Sequence, residues 1–441
     1  MKKESTYNGM ELPVRNKRVA SLSSLVGWVR GWSLLSLPLF FLLSFFSCTP
    51  EEDDTPTQRL PITFSCSDSG ELTRAEEVSL SEYISDFKVY GVNGDVEGEG
   101  NSATFTKKNT VFPNYQVWHT ENMANSTSTN TSNWEYVGTV EGAMGSEEQT
   151  IKYWDEKHNA HYFWAIGDFS KRGGYNYSEG TLPDPHVIEI ESLTQEEVQD
   201  DSRCLYFTRP KFVPKSEYGQ PVKLTFMRYC SRIRIGFYED IAQHNDGDKL
   251  MKVIAMKFYK VKSDGTFNTN EVPTPNVCLK GNFANSGKVR LTYTNASYKG
   301  GVDDVTTQTI LAENDTIKSM DFGELNIAGT QSGALPTSSS QALFTTLSNG
   351  EQYTKVMPYN NEAGLTLECD ILVRNQNLSQ YTQQYVMASI PAAYTNWKPN
   401  QSYTYIFKIV TSPEGAAMVL SNVEVENWKS DGEIEEEWHN W

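Results

Sequence analysis

The residue whose chemistry stands out in the sequence is Cys48. It follows Ser47 at the end of an apolar run. A small residue directly before a cysteine is what a lipoprotein signal peptidase requires, because the small side chain fits at the cut and the thiol accepts a diacylglycerol group. An ordinary signal peptide that ends near a cysteine is the alternative interpretation. We predict that Cys48 is the lipid attachment site.

Residues 1–47 have the features of a cleaved leader. Six Lys and Arg residues precede an apolar run from Leu34 to Phe46, and Pro38 interrupts that run. The run is shorter than the roughly 20 residues that span a bilayer. A signal peptide is therefore a better interpretation than a permanent membrane helix.

Residues 48–59 are predicted to form a solvated tether. Glu51, Glu52, Asp53 and Asp54 follow the lipidation motif, and such a charged stretch does not pack into a core. The acidic run is similar to the export signal that follows the lipidated cysteine in surface lipoproteins of Bacteroidetes, with a plain linker as the alternative. We expect a surface-exposed lipoprotein of the cell outer membrane.

Net charge argues against nucleic acid as a partner. The leader holds six Lys or Arg and two Asp or Glu residues, so its removal changes the formal charge from −18 to −22. Such a surface repels phosphate backbones, and no basic stretch with interleaved aromatic residues offsets this effect. Solubility at a cell surface is the simpler use of the charge.

Residues that could support catalysis do not converge on a recognisable site. His158 and His161 could in principle bind zinc, but their spacing is poor for one helical face and no further ligand completes a set. Neither a Gly-x-Ser-x-Gly elbow nor a phosphate-binding glycine loop is present. A carboxylate pair for glycoside hydrolysis is the alternative that the many acidic residues leave open. We predict no enzyme, no metal and no cofactor.

The five cysteines that remain after Cys48 are widely and irregularly spaced. Their number and spacing indicate neither a disulfide framework nor a metal knuckle. One or two disulfides could form, and the sequence does not choose between them. The residues are Cys66, Cys204, Cys230, Cys278 and Cys369.

Alternating apolar residues predict an all-β fold. Val222, Leu224 and Phe226 alternate in one segment, and Tyr162–Ile166 is a nearly continuous apolar run. The strand pattern is interrupted by Pro210, Pro214, Gly219 and Pro221. We therefore predict an N-terminal β-sandwich domain at 60–214 and a C-terminal one at 215–441.

The order of these motifs resembles the Bacteroidetes fimbrillin family, the pilin-like lipoproteins of type V fimbriae. The resemblance extends over nearly all of the mature chain. The matching segments are Phe64–Ala75 ahead of Phe87–Tyr90, Tyr153–Asp155 with Tyr162–Ala165, Val222–Arg228 leading into Ile233–Ile235, and Trp397–Ile406 with Val423–Trp428.

This resemblance implies two transthyretin-like β-sandwich domains, assembly with other fimbrial subunits through β-strand addition, and a role in adhesion to host or bacterial surfaces. In major family members, a protease cut after an arginine removes the first strand. Here the candidates are Arg74, within Thr73–Ala75, and Arg59. A retained lipid anchor is equally compatible with the sequence, so a structural, tip or anchor subunit all remain open.

Two features bear on the alternatives. The tail at 431–441 is acidic and lacks the apolar alternation of an exchangeable donor strand. The second is a set of aromatic residues that could act as sugar-stacking platforms, which makes a surface glycan-binding lipoprotein the second hypothesis, with burial in a sandwich core as the simpler interpretation. The tryptophans concerned are Trp118, Trp134, Trp154 and Trp164.

Overall fold

The computed structural model describes residues 59–68, 84–98, 104–120, 133–137, 149–167, 177–179, 186–200, 203–240, 251–293, 305–311, 315–375, 380–412 and 415–428. The predicted leader, Cys48, Arg74 and the acidic tail therefore lie outside the described residues. All described residues belong to one compact unit.

Strands dominate the described residues, and the predicted all-β fold class is confirmed. The first half contains β1 (Phe64–Asp68), β2 (Asp86–Glu97), β3 (Thr104–His119), β4 (Trp134–Glu135), β5 (Ala160–Gly167), β6 (Tyr177–Glu179), β7 (His186–Thr194), the short helix α1 (Gln195–Gln199), β8 (Tyr206–Thr208), β9 (Lys211–Pro214) and β10 (Val222–Arg228). The second half contains β11 (Ser231–Asp240), β12 (Met251–Phe258), β13 (Asn276–Ala284), β14 (Ser286–Tyr293), β15 (Val305–Leu311), β16 (Thr316–Glu324), β17 (Leu343–Phe344), β18 (Thr354–Val356), β19 (Leu365–Asn375), β20 (Gln380–Ile390), β21 (Gln401–Ser412) and β22 (Gly415–Asn427).

An eight-stranded sheet and a four-stranded sheet share the first hydrophobic core. The larger sheet has the order β1-β10-β8-β5-β2-β3-β4, with β9 also paired to β5, and the smaller has the order β15-β14-β7-β6. Trp164 of β5 stacks on Tyr293 of β14, with ring centroids 5.6 Å apart. The central strands β2 and β5 are buried along most of their length, because side chains on both faces are covered.

Two five-stranded sheets enclose the second core. One has the order β17-β11-β21-β22 with β18 paired to β11, and the other has the order β12-β19-β13-β16 with β20 paired to β19. Ile233 and Ile235 of β11 point into this core, as their alternation predicts. Arg232 and Arg234 lie on the other face, where their guanidinium groups lie 4.2 and 5.1 Å from the ring centroid of Tyr353.

The two cores do not follow the chain in simple succession. β10 packs in the first core although it follows Pro214, and the hairpin β14–β15 from the second half also joins the first core. All core residues up to Cys230 belong to the first core, and the second core begins at Ile233. The predicted boundary between residues 214 and 215 thus falls before the last strand of the first sheet, and the extent of each domain as a folding unit stays a prediction.

Candidate functional site: the groove of the first strand

β1 is an edge strand of the eight-stranded sheet. Among the described strands it pairs with β10, in parallel, so that Phe64 lies opposite Val222. The residues before it are also held: Ile62 N–H donates to the carbonyl oxygen of Lys152 and Val222 N–H donates to that of Thr63, both at 2.8 Å. These are backbone contacts that any extended chain with suitable side chains could make.

Phe64 fills an aromatic pocket and is completely buried. Its ring centroid lies 5.2 Å from that of Phe112, 5.8 Å from that of Tyr136 and 5.9 Å from that of Phe163, each in an edge-to-face arrangement. Aromatic rings prefer this geometry because a positive ring edge then meets a negative face. Phe64 is therefore the side chain through which β1 contributes most to the core.

Alternate residues of this segment point the same way. Ile62 is completely buried, and Cys66 packs partly buried against the same core, where burial raises the pKa of its thiol. Ser65 and Ser67 lie on the opposite face, where the Ser67 hydroxyl lies 3.4 Å from that of Thr225. A strand that replaced β1 would need apolar side chains at the positions of Ile62 and Phe64.

The larger sheet curls until its first and last strands meet. Tyr136, directly after β4, donates its hydroxyl hydrogen to the carbonyl oxygen of Ile62 at 2.8 Å. Gly91 permits the tight interior, because a β-carbon there would lie 2.8 Å from the ring of Phe163. β1 therefore closes a groove whose other walls come from β2, β3, β5 and β10.

The two candidate cleavage sites lie on opposite sides of β1. Arg59 is exposed and precedes the strand by five residues, whereas Arg74 follows Asp68 by six residues and lies outside the described residues. A cut after Arg59 would leave β1 joined to the rest of the sandwich. A cut after Arg74 would leave it held by non-covalent contacts alone.

The two histidines that suggested a metal site have different surroundings. His158 Nδ1 lies 3.2 Å from a carboxylate oxygen of Asp95. His161 is completely buried, and its Nδ1 lies 2.9 Å from the hydroxyl of Tyr218. Among the described residues, no group of three or more potential metal ligands gathers.

Three of the four tryptophans considered as sugar platforms are core residues. Trp134, Trp154 and Trp164 are all buried, and Trp118 is half-buried. A buried ring cannot stack on a pyranose, so Trp134, Trp154 and Trp164 do not provide the aromatic platforms that the second hypothesis requires. Burial in a sandwich core, the simpler interpretation of the sequence, is the correct one for these three residues.

Sequence reasoning did not identify the walls of the groove. Phe112 and Tyr136 are far from β1 in the chain, and no local pattern relates them to it. The parallel pairing of β1 with a strand some 158 residues away has no local signal either.

Within the described ranges, no helix is both long and apolar enough to cross a membrane.

No family model matches this chain, and no curated protein matches it. Solved structures do match. A fimbrial protein from Bacteroides vulgatus is 13% identical, with a TM-score of 0.43, over 84% of this chain and 99% of that one. The fimbrial anchor protein Mfa2 from Porphyromonas gingivalis is 8% identical, with a TM-score of 0.27, over 83% of this chain and 97% of that one. A candidate polysaccharide-binding protein from Bacteroides thetaiotaomicron is 9% identical, with a TM-score of 0.28, over 84% and 96%.

The structural neighbours are thus fimbrial and adhesion proteins of Bacteroidetes, the kind of protein that the sequence resemblance names. At these identities and TM-scores, the function of this chain has to be argued from its own geometry.

Proposed function

We propose that this protein is a fimbrillin-like surface lipoprotein, a structural, tip or anchor subunit of a fimbria that joins its neighbours by β-strand exchange. The observation that carries the proposal is the position of β1, an edge strand whose Phe64 fills a pocket of aromatic rings. Removal of such a strand exposes apolar side chains and the unpaired backbone edge of β10. A strand from a second subunit would cover both.

The position of the cut decides whether the groove opens. Cleavage after Arg74 frees β1, so the groove becomes available to a neighbouring subunit. Cleavage after Arg59 removes the lipidated tether and leaves the groove filled. Cleavage after Arg74 is expected in a structural subunit of the fimbrial shaft. An uncut, lipidated chain is expected in an anchor subunit.

The test compares two variants of the full-length chain, purified in mild detergent and treated with an arginine-specific protease. Arg59→Ala leaves the site at Arg74 open to the protease, and Arg74→Ala leaves the site at Arg59. We expect Arg59→Ala protein to lose the segment before Ala75 and to form chains that resist detergent. We expect Arg74→Ala protein to lose only its tether and to stay monomeric.

A synthetic peptide provides a further control for strand exchange. A peptide of residues 60–68 in excess should refill the groove and suppress chain formation by the cut protein, whereas the same peptide with Ala in place of Phe64 should not. If the protein cut after Arg74 stays monomeric at high concentration, the hypothesis of a structural subunit in the fimbrial shaft is wrong. An anchor or tip role would then be the remaining form of the proposal.

Glycan binding is the second candidate function, and a different feature favours it. A cleft of about 1030 Å³ lies where the two cores adjoin, and amide side chains are prominent among its lining residues. Amide groups both donate and accept hydrogen bonds, as sugar hydroxyls do. The amide-bearing residues are Asn282, Gln308, Asn360, Asn396, Asn400, Gln401 and Asn427.

The matched test for glycan binding uses Asn360 and Asn396, which form an isolated backbone bridge and both line the cleft. Asn360→Ala with Asn396→Ala should abolish binding of the purified protein to a labelled glycan panel. An exposed amide elsewhere, in Gln383→Ala, should leave binding unchanged. Absence of any glycan signal for the unmodified protein would exclude this second function.

A further inference from the structure

Cys204 and Cys230 face each other in the first core. Their sulfur atoms lie 3.4 Å apart, and both residues are completely buried. β8 and β10 pair in antiparallel fashion with Arg228 opposite Tyr206, and Tyr229 N–H donates to the carbonyl oxygen of Leu205 at 2.8 Å. The register of Arg228 with Tyr206, continued by two residues on each chain segment, places Cys230 opposite Cys204.

This arrangement meets the geometric requirement of a disulfide. Directly opposed residues of antiparallel strands have α-carbons about 4.5–5.5 Å apart, and disulfides span about 4.4–6.8 Å. We propose that Cys204 and Cys230 form a disulfide bond in the exported protein. The proposal does not depend on strand exchange.

The other described cysteines are excluded as partners by their positions. Cys66 pairs in register with Leu224, which is six residues from Cys230 along the chain and so about 20 Å away. Cys369 points into the second core. Val277 and Leu279 of β13 also point into that core, so Cys278 between them faces the other side of the sheet. Cys278 and Cys369 are therefore on opposite faces of their sheet.

The chemistry is thiol–disulfide exchange with an oxidised protein dithiol of the export compartment. One thiolate attacks the disulfide of that oxidant and forms a mixed disulfide, and the second thiolate then displaces it. The two cysteines lose two protons and two electrons, the S–S bond forms, and the oxidant is reduced to its dithiol. Because burial makes a thiol unreactive, the bond forms before the core closes around these residues.

The bond would fix the strand that receives β1. β10 lies between β1 and β8, so it becomes an edge strand when β1 is absent. A covalent link from Cys230 to Cys204 keeps the end of β10 beside β8 and closes a segment of 26 residues. Such a link is expected to lower the equilibrium constant for unfolding by about a hundredfold.

The test maps the thiols of full-length protein, exported with its own leader, purified in detergent and denatured in an alkylating reagent without reductant. Mass spectrometry should find a peptide pair joined through Cys204 and Cys230, with Cys66, Cys278 and Cys369 alkylated. After reduction, all five should be alkylated. Alkylation of all five without reduction would overturn the proposal.

A second measurement follows urea unfolding, and its main result comes from the unmodified protein. The urea midpoint of the unmodified protein should fall when a reductant is present, and that of Cys278→Ser should fall equally, because this cysteine lies outside the bond. Where it folds, the double variant Cys204→Ala with Cys230→Ala should show no response to reductant. A midpoint of the unmodified protein that is unaffected by reductant would also contradict the bond.

Discussion

His161 illustrates how burial determines the role of a reactive residue type. Its ring packs against Trp154 and Phe163, with centroids 5.0 and 5.9 Å away. The Tyr218 hydroxyl donates to the carbonyl oxygen of His158 at 3.0 Å, so His161 Nδ1 must be the donor to that hydroxyl. Nε2 is then an unprotonated nitrogen that is buried and has no hydrogen-bond partner among the described residues.

Burial accordingly lowers the pKa of His161 from its ordinary value of 6.5 to about 4, because protonation would place a charge and an unsatisfied N–H in the core. The unfolded chain binds this proton more readily than the folded chain. The contribution of neutral His161 to the unfolding free energy is therefore fully present above pH 6.5. It is lost as the pH falls towards 4.

We expect His161→Phe to remove this part of the pH dependence. From pH 7.5 to pH 5, the unmodified protein should lose about 2 kcal/mol more unfolding free energy than the variant. Urea unfolding at the two pH values measures the difference. Tyr218→Phe keeps the imidazole and should retain the loss, whereas an equal loss in His161→Phe would refute the assignment.

At the scale of single elements, β1 combines a strong side-chain anchor with a short backbone pairing. Five residues pair with β10, and one ring contacts four other aromatic rings. An element of this kind can be replaced by a similar strand from another chain, because the groove recognises an extended backbone and a few apolar side chains. The same contacts make β1 important for the stability of the uncut protein.

Phe64→Ala should lower the unfolding free energy by about 3–5 kcal/mol, because it leaves a cavity among aromatic rings. Ser65→Ala changes the neighbouring side chain on the opposite face and should alter the unfolding free energy by less than about 0.5 kcal/mol. Urea denaturation followed by tryptophan fluorescence compares the two. Equal effects of both substitutions would contradict the orientation of β1.

For the molecule as a whole, the acidic composition and the predicted lipid bear on where the sandwiches would operate. The formal charge of −18 includes the basic leader, and its predicted removal would make the chain more negative still. A lipid on Cys48 would hold this acidic body close to the outer membrane. The tether at 48–59 would then provide the distance between the lipid and the first strand.

Cys48→Ala should abolish lipid attachment, because the thiol is the acceptor. Cells that express the variant should accumulate precursor or released protein, and labelled palmitate should no longer enter it. Cys66→Ala, which changes a cysteine outside the motif, should retain the label. Continued incorporation of palmitate into Cys48→Ala protein would show that the anchor is elsewhere.

Neutral replacement of the acidic run, with Gln for Glu51 and Glu52 and Asn for Asp53 and Asp54, should separate lipidation from surface display. We expect the variant to retain its lipid and to be protected from protease added to intact cells, because the charged tether would serve as the export signal. If protease added to intact cells digests the variant as it digests the unmodified protein, the acidic run is a plain linker.

The local elements follow from short stretches of the sequence. Alternation in β10 and β11 and the apolar run in β5 are properties of a few consecutive residues, so the all-β class and the inward side of β10 and β11 could be predicted. The leader and the lipid motif are equally local, and they stay predictions because they lie outside the described residues.

Which strands pair with one another became clear only from the folded chain. The pairing of β1 with β10, the transfer of β14 and β15 to the first core, and the juxtaposition of Cys204 with Cys230 each join residues that are distant in the chain. Backbone hydrogen bonds form a ladder between almost any two strands, so the partner is selected by packing across the whole core. For the same reason, His161 could be assigned to a neutral core position only after Trp154, Phe163 and Tyr218 were seen around it.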